Sequence, residues 1–195
     1  MLLLGGMESF QEGGYARTPV GDLLPVYLEG GRAQPPGGAL RLELTREGWL
    51  QPWLRLRSRE SEERTRLGAL PVFDVLNQVG APKPGATVLA TVSDGRNQYP
   101  ALVAQRFGRG RSAALLVGDL WQSGLGDEAR MADLGKAWRQ LVRWLVVDVP
   151  EPVELQFSPG DGGEVRMQAR VRNRAFEAVD HARVMFRVVS GKDTW

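Results

Sequence analysis

The chain has 195 residues, of which 43% are hydrophobic and 25% are charged, enough for one domain of ordinary size and a smaller second unit. Its 25 basic and 23 acidic residues are interleaved and leave a net charge of +2, too small an excess to indicate a nucleic-acid-binding surface. The chain has no cysteine and a single histidine, His181, which excludes disulfides, thiolate metal sites and cysteine nucleophiles, and we expect no metal and no cofactor.

The first 25 residues predict a strand, a loop and a short helix. Residues 1–4, MLLL, are typical of a buried strand, and residues 5–14 form a glycine-rich loop after it. Thr18 at the N-cap and Pro19 at the first helical position predict a helix start. Pro25 ends this helix within two turns.

The next forty residues predict short elements separated by loops. Residues 30–38 hold four glycines and two prolines and predict a loop. Leucines alternate with charged residues over residues 40–44, which predicts a half-buried strand. Residues 49–53, WLQPW, predict a turn with two large apolar anchors. The mixed-charge run at residues 55–66 predicts a solvated helix face or a flexible loop rather than a binding patch.

The clearest signals lie between residues 86 and 147. ATVLATV at residues 86–92 predicts a buried strand, and residues 99–107 and 112–117 predict a β-hairpin because a glycine-containing turn joins them. Residues 127–147 predict the main helix. Its apolar residues share one face and are expected to pack in the core: Met131, Leu134, Trp138, Leu141, Val142 and Leu145.

The pattern changes after Pro150. Residues 153–157, 165–171 and 184–188 predict antiparallel strands, each with one apolar face. Three strands are too few to close a sandwich of about seven. We therefore expect a first domain at residues 1–150 and, at residues 151–195, the start of a truncated β-sandwich-like domain. Its apolar face must pack on the first domain or on another chain.

Polar residues follow two of the predicted strands, where α/β folds place ligands. Glu8 and Ser9 lie in GGMESFQEGG, but the residues around Ser9 lack the glycines of a nucleophile elbow, and glycines that serve a sharp strand exit are the favoured interpretation. Asp119 either binds a ligand, acts as a base or caps the next turn, and capping is favoured. Trp121 either stacks on a ligand or packs under the loop, and packing is favoured.

Four stretches together carry a family resemblance: LLLGGMESFQEGGYARTPVGDLLPV, KPGATVLATV, YPALVAQRFGRGRSAALLVGDLW and WRQLVRWLV. By their order and spacing the chain resembles, over most of residues 1–150, the glutamine amidotransferase-like domain family of large bacterial membrane and envelope proteins. The resemblance implies a flavodoxin-like α/β sheet, as in class I glutamine amidotransferases, whose first half would precede Met1. It also implies a parent protein in the cell envelope, with this part on its periplasmic or cytoplasmic face, and a β-sandwich-like domain after the sheet.

Class I amidotransferases use a cysteine on a strand-to-helix elbow, activated by a histidine and a glutamate. Gly5, Gly6 and Met7 would occupy the elbow here, and the downstream His-x-Glu pair is absent as well. Because the thiolate forms the glutamyl thioester, its absence removes the reaction, and no catalytic residue carries over.

We therefore expect a non-catalytic binding or assembly module of a larger bacterial envelope protein. The alternative is a hydrolase or ligand-binding enzyme with Glu8, Ser9 and Asp119 lining a cleft at the sheet edge; a third interpretation is a structural spacer.

The expected partners are other parts of the parent protein, or a second copy through residues 151–195. The longest apolar runs are far shorter than the ~20 residues of a membrane-spanning helix. We therefore expect this part of the protein to be soluble, without direct membrane insertion and without nucleic acid as a partner.

Overall fold

The computed structural model describes residues 1–6, 8–29, 39–146, 153–160, 162, 164–173, 177–187, 189–190 and 193–194. The chain divides into two compact units, residues 1–148 and 149–195. Four sequence predictions fall wholly or partly outside the described residues: the loop at residues 30–38, the place of Met7 in the elbow, the end of the main helix at residues 147–150, and residue 188 of the strand predicted at 184–188.

A five-stranded sheet forms the centre of the first unit. Its strands are β1 (Leu2–Leu4), β2 (Arg41–Leu44), β3 (Thr87–Ser93), β4 (Gln98–Phe107) and β5 (Gly110–Leu115). Their order is β1-β5-β4-β3-β2, with β1 parallel to β5 and every other pair antiparallel. The unit is therefore a mixed α/β structure, and β4 and β5 form the predicted hairpin.

The central strands are buried because small and β-branched residues fit both faces of the sheet. Val92, Val103 and Ala113 are 0% exposed. The prediction of a buried first strand is wrong in part, since Leu4 is 44% exposed. The reason is position: among the described strands, β1 lies at the edge of the sheet with β5 as its one neighbour.

The helices are α1 (Pro19–Leu23), α2 (Arg46–Trp49), α3 (Glu60–Gly68) and α4 (Glu128–Val146), with 3-10 helices at Pro52–Leu54 and Leu120–Gly124. Thr18 caps α1 as predicted, because its hydroxyl oxygen accepts a hydrogen bond from Gly21 N at 3.2 Å. The turn predicted at residues 49–53 is wrong in part. Thr45 accepts a hydrogen bond from Gly48 N at 3.0 Å and starts α2 ahead of it.

The apolar stripe predicted on α4 is wrong at two positions. Met131 is 55% exposed and Val142 is 50% exposed, whereas Leu141 is buried. At 100° per residue, Met131 and Val142 lie roughly 50° and 70° from the centre of the face that carries Leu134, Trp138, Leu141 and Leu145. The buried face of α4 is therefore narrower than the face that carries its apolar residues.

The second unit contains an antiparallel pair, β6 (Val153–Pro159) and β7 (Val165–Val171), and a short pair, β8 (Val189–Ser190) and β9 (Asp193–Thr194). The first pair lies where two strands were predicted. The third predicted strand is wrong over residues 184–187, which form no strand. Alternation of apolar and polar residues there indicates two faces, but a strand also needs a hydrogen-bonded neighbour.

Candidate functional site

The predicted site lies at the sheet edge where β1 and β5 both end, because these strands are parallel neighbours. A Cβ added to Gly118 would lie 3.2 Å from the Cα of Gly6, so the two strand exits touch. The structure therefore brings the loop that holds Glu8 and Ser9 to the same edge as Asp119.

A third segment closes this edge, and its key residue is Asn77. Asn77 Oδ1 accepts a hydrogen bond from Gly6 N at 3.0 Å, and Nδ2 donates to Gly6 O at 2.8 Å and to Ser9 O at 3.5 Å. Gly5 packs so closely that an added Cβ would lie 2.7 Å from Asn77 Oδ1 and 2.8 Å from Leu116 O. A glycine is needed there for close packing, which agrees with the predicted strand exit.

Asp119 is buried at this edge and bonded to the neighbouring backbone. It is 3% exposed, and its Oδ2 accepts hydrogen bonds from Asp74 N at 2.7 Å and from Gln122 Nε2 at 3.4 Å. The capping alternative is wrong, because the carboxylate makes no capping bond to the 3-10 helix Leu120–Gly124. Asp119 Oδ1 is buried and has no hydrogen-bond partner among the described residues. A role for Asp119 in ligand binding or as a base stays a prediction.

The other predicted site residues are more accessible. Glu8 is exposed and Ser9 is half-buried. Trp121 is 60% exposed, so the prediction that it packs under the loop is wrong. The 3-10 turn buries Ser123, at 6% exposure, and leaves the Trp121 ring accessible. Ligand binding by Glu8, Ser9 and Trp121 stays a prediction.

A cavity of about 200 Å³ lies between the sheet and α4, and none of the predicted site residues lines it. Leucines of β2, β4 and β5 contribute from the sheet, Leu134, Ala137 and Trp138 from α4, and Trp53 and Leu54 from the 3-10 helix that precedes α3. The cavity is partly open to solvent and lined mainly by apolar side chains, as ligand pockets usually are, so it is a second candidate site. The sequence contains no motif that marks it.

Charged side chains fix the segment before α3 that borders this cavity. Arg57 bonds both carboxylate oxygens of Asp133 on α4, at 2.8 Å and 2.6 Å. Glu63 accepts hydrogen bonds from the backbone N–H groups of Leu56, at 3.1 Å, and Arg57, at 2.9 Å. Lys136 Nζ donates to Leu56 O at 2.6 Å. The segment is thus tied to both α3 and α4.

The prediction of a solvated face for residues 55–66 is wrong at Glu63, which is 0% exposed. Its carboxylate forms an ion pair with Arg66 at 2.5 Å, and the Arg66 side chain is 17% exposed. A buried carboxylate needs such partners, and here two backbone donors and one guanidinium supply them. It is also wrong at Leu56, which is 5% exposed, and it is confirmed at the Arg64–Glu60 pair, whose side chains are 61% and 62% exposed.

The hydrogen bonds from Arg57 lower the pKa of Asp133, and the stabilisation that this carboxylate provides depends on pH. A lowered folded-state pKa means stabilisation that is fully present above the unfolded pKa of about 3.9 and is lost as the pH falls through the folded-state value. We expect Asp133→Asn to lower the free energy of unfolding by about 1 kcal/mol at neutral pH, since both side chains are partly exposed. Urea titrations followed by tryptophan fluorescence measure the difference in the free energy of unfolding between the wild type and the variant. This difference should shrink below about pH 4. A difference unchanged at about pH 2 would contradict the assignment.

Two further findings concern the described residues. They contain no group of three or more histidine, aspartate or glutamate side chains placed to hold a metal ion. They also contain no helix that is both long and apolar enough to cross a membrane.

The chain matches no protein-family model and no curated protein. Among solved structures it is similar to the cytoplasmic protein STM3548 from Salmonella typhimurium, with a TM-score of 0.52 and 21% sequence identity. It is also similar to the cytoplasmic protein STM1381 from Salmonella typhimurium LT2, with a TM-score of 0.43 and 18% identity. Each similarity covers 74% of this chain and 54% of the other, so the chain spans about half the length of these structures. At this identity the similarity to STM3548 shows a shared fold and nothing of activity.

Proposed function

We propose that this chain is a non-catalytic binding or assembly module, built on an incomplete class I amidotransferase-like sheet of the flavodoxin-like type. The observation that carries the proposal is the closed strand exit after β1. Asn77 occupies both backbone hydrogen-bonding groups of Gly6, and the 195 residues contain no cysteine. A thioester-forming enzyme needs a thiolate at such an exit with space for substrate beside it.

The flavodoxin-like part of the proposal is supported by the parallel pairing of β1 with β5 and by the packing of α4 on β5. The other three strand pairings of the sheet are antiparallel, and α4 follows β5 without joining the parallel pair. We place the parent protein in the bacterial cell envelope on the family resemblance alone, with this module on the periplasmic or cytoplasmic face.

The direct test is incubation of the purified chain with glutamine and measurement of released ammonia. We expect no release above a buffer blank, because the chain has no cysteine to form the glutamyl thioester. Release above the blank would contradict the proposal.

The alternative, an enzyme at the sheet edge, predicts that Asp119→Asn changes the turnover of whichever substrate is found, and that Glu8→Ala changes it as well. Unchanged turnover in both variants would exclude that alternative.

We further propose that the second unit self-associates through its β6–β7 pair, with other parts of the parent protein as the competing partner. Three apolar residues alternate along one face of β6 and are exposed: Val153 at 47%, Leu155 at 45% and Phe157 at 63%. Their partners on β7 are Val171, Ala169 and Met167, so the same face is apolar on both strands. An exposed apolar face of this kind is typical of a protein interface.

We expect Phe157→Lys to shift the chain towards the monomer, because a lysine ammonium on this face would have to be desolvated in the contact. The matched control is Gln156→Lys, which adds the same charge one residue earlier, on the opposite face of β6. Sedimentation velocity over a concentration series measures the change. A wild-type chain that stays monomeric at the highest concentration would contradict self-association.

A further inference from the structure

We propose that the cavity between the sheet and α4 binds a small carboxylic acid with an aromatic or branched aliphatic body. Glu8, Ser9, Asp119 and Trp121 do not line this cavity, and the inference does not rest on the proposed function. It rests on the volume of the cavity, on its apolar lining, and on one arginine at its border.

The lining defines the body of the ligand. Most of the residues around the cavity are leucine, alanine or tryptophan, including Leu102 and Leu115 of the sheet and Trp138 of α4. An enclosed apolar cavity of about 150 Å³ takes up benzene, so this partly open space of about 200 Å³ accommodates one ring or a branched chain of similar size. Strongly polar ligands would lose their hydration in this space without gaining hydrogen bonds.

The charged residues that line the cavity indicate the polar group of the ligand. Two of the charged residues that line the cavity are already neutralised at short range: Arg66 by Glu63 at 2.5 Å and Asp133 by Arg57 at 2.6 Å. Neither needs a ligand to complete its bonding.

Arg130, the third charged residue of the lining, has a longer ion pair and a more exposed side chain. Its guanidinium forms an ion pair with Asp127 at 3.6 Å, and the two side chains are 48% and 56% exposed. Because Arg130 both lines the cavity and reaches solvent, it marks the place where a carboxylate can stay hydrated while the apolar body is buried. An anion at this position gains a guanidinium partner, whereas a cation would be repelled.

The test compares two probes that share one body. 3-Phenylpropionate carries the carboxylate, and 3-phenylpropanamide is its neutral isostere. For a ligand of this size we expect a dissociation constant on the order of 1 mM or tighter for the acid in titration calorimetry. We expect the amide to bind about fivefold more weakly, because it loses the half-exposed charge pair.

Two variants separate the body from the charge. Ala137→Phe fills the cavity from the middle of α4 and is expected to weaken binding of both probes by more than about tenfold. Arg130→Gln is expected to reduce the affinity for the acid to that for the amide and to leave the amide unaffected. Arg139→Gln is the matched control, an exposed arginine on the same helix that does not line the cavity, and both affinities should match the wild type.

Three results would overturn the proposal. The first is that neither probe binds the wild-type chain when its concentration is about ten times the expected dissociation constant. The second is equal affinity for the acid and the amide. The third is wild-type affinity in an Ala137→Phe variant whose melting temperature is unchanged. If that variant does not fold, the comparison of Arg130→Gln with Arg139→Gln decides the question, since both positions are exposed.

Discussion

Glu63→Ala is expected to lower the free energy of unfolding of the first unit by about 3–5 kcal/mol, the usual cost of removing one partner of a buried ion pair. Glu63 is 0% exposed and its carboxylate has three partners. These are the backbone N–H groups of Leu56 and Arg57, at 3.1 Å and 2.9 Å, and the guanidinium of Arg66. The alanine would leave two donors and one charge without an acceptor, each at a desolvation cost.

The matched control is Glu60→Ala on the same helix. Glu60 pairs with Arg64 at 2.7 Å, but both side chains are exposed, so the expected change is at most about 0.5 kcal/mol. Urea unfolding followed by tryptophan fluorescence measures both variants, and an unchanged dependence on urea confirms that stability alone has changed. Equal effects of the two substitutions would contradict the role assigned to Glu63. Glu63→Gln should fall between them, because its amide oxygen can still accept from the backbone donors.

Glu63 also links stability to the second candidate site. The backbone that it holds leads from Trp53 and Leu54, which line the cavity, to the Arg57–Asp133 pair. Lys136 fixes the same stretch from α4 through Leu56 O. Polar groups therefore fix one wall of the cavity from both α3 and α4.

Local signals in the sequence were enough to predict much of the first unit. Thr18 followed by Pro19 specifies a helix start within two residues, and the structure confirms it. The hairpin at residues 99–117 was predictable because its strands are adjacent in the chain and a glycine-containing turn joins them. The parallel pairing of β1 with β5 joins strands more than a hundred residues apart, and alternation patterns contain no information about such a pair.

The sites could be predicted less well, because their residues become distinctive only through contacts. Glu63 is one carboxylate in RLRSRESEERTR, and nothing in that run separates it from exposed Glu60. Asn77 lies at the end of an apolar stretch and acquires its role from Gly6, 71 residues away. The cavity is an extreme case, because periodicity indicates which faces meet and gives no information on whether they fill the space between them.

Gly48→Ala is expected to lower the free energy of unfolding by about 1–3 kcal/mol, the usual range for overpacking a filled site. A Cβ on Gly48 would overlap the backbone carbonyl oxygen of Leu89 in β3. That oxygen cannot move easily, because it accepts hydrogen bonds from the backbone N–H of Thr45 at 3.1 Å and from its hydroxyl at 3.2 Å. The added methyl group must therefore push α2 away from the sheet and weaken the cap that Thr45 provides.

The control for this prediction is expected to change stability in the opposite direction. Gly68 ends α3, and a Cβ added there meets no atom within 4 Å. Gly68→Ala should stabilise the unit by about 0.5 kcal/mol, because alanine loses less backbone entropy than glycine on folding. We expect the urea midpoint to fall for Gly48→Ala and to rise for Gly68→Ala. Such opposite shifts would separate the steric clash with β3 from the entropic effect that every glycine-to-alanine substitution has. Stabilisation by both variants would show that α2 can move off β3 at little cost, and would contradict the close packing on which the prediction rests.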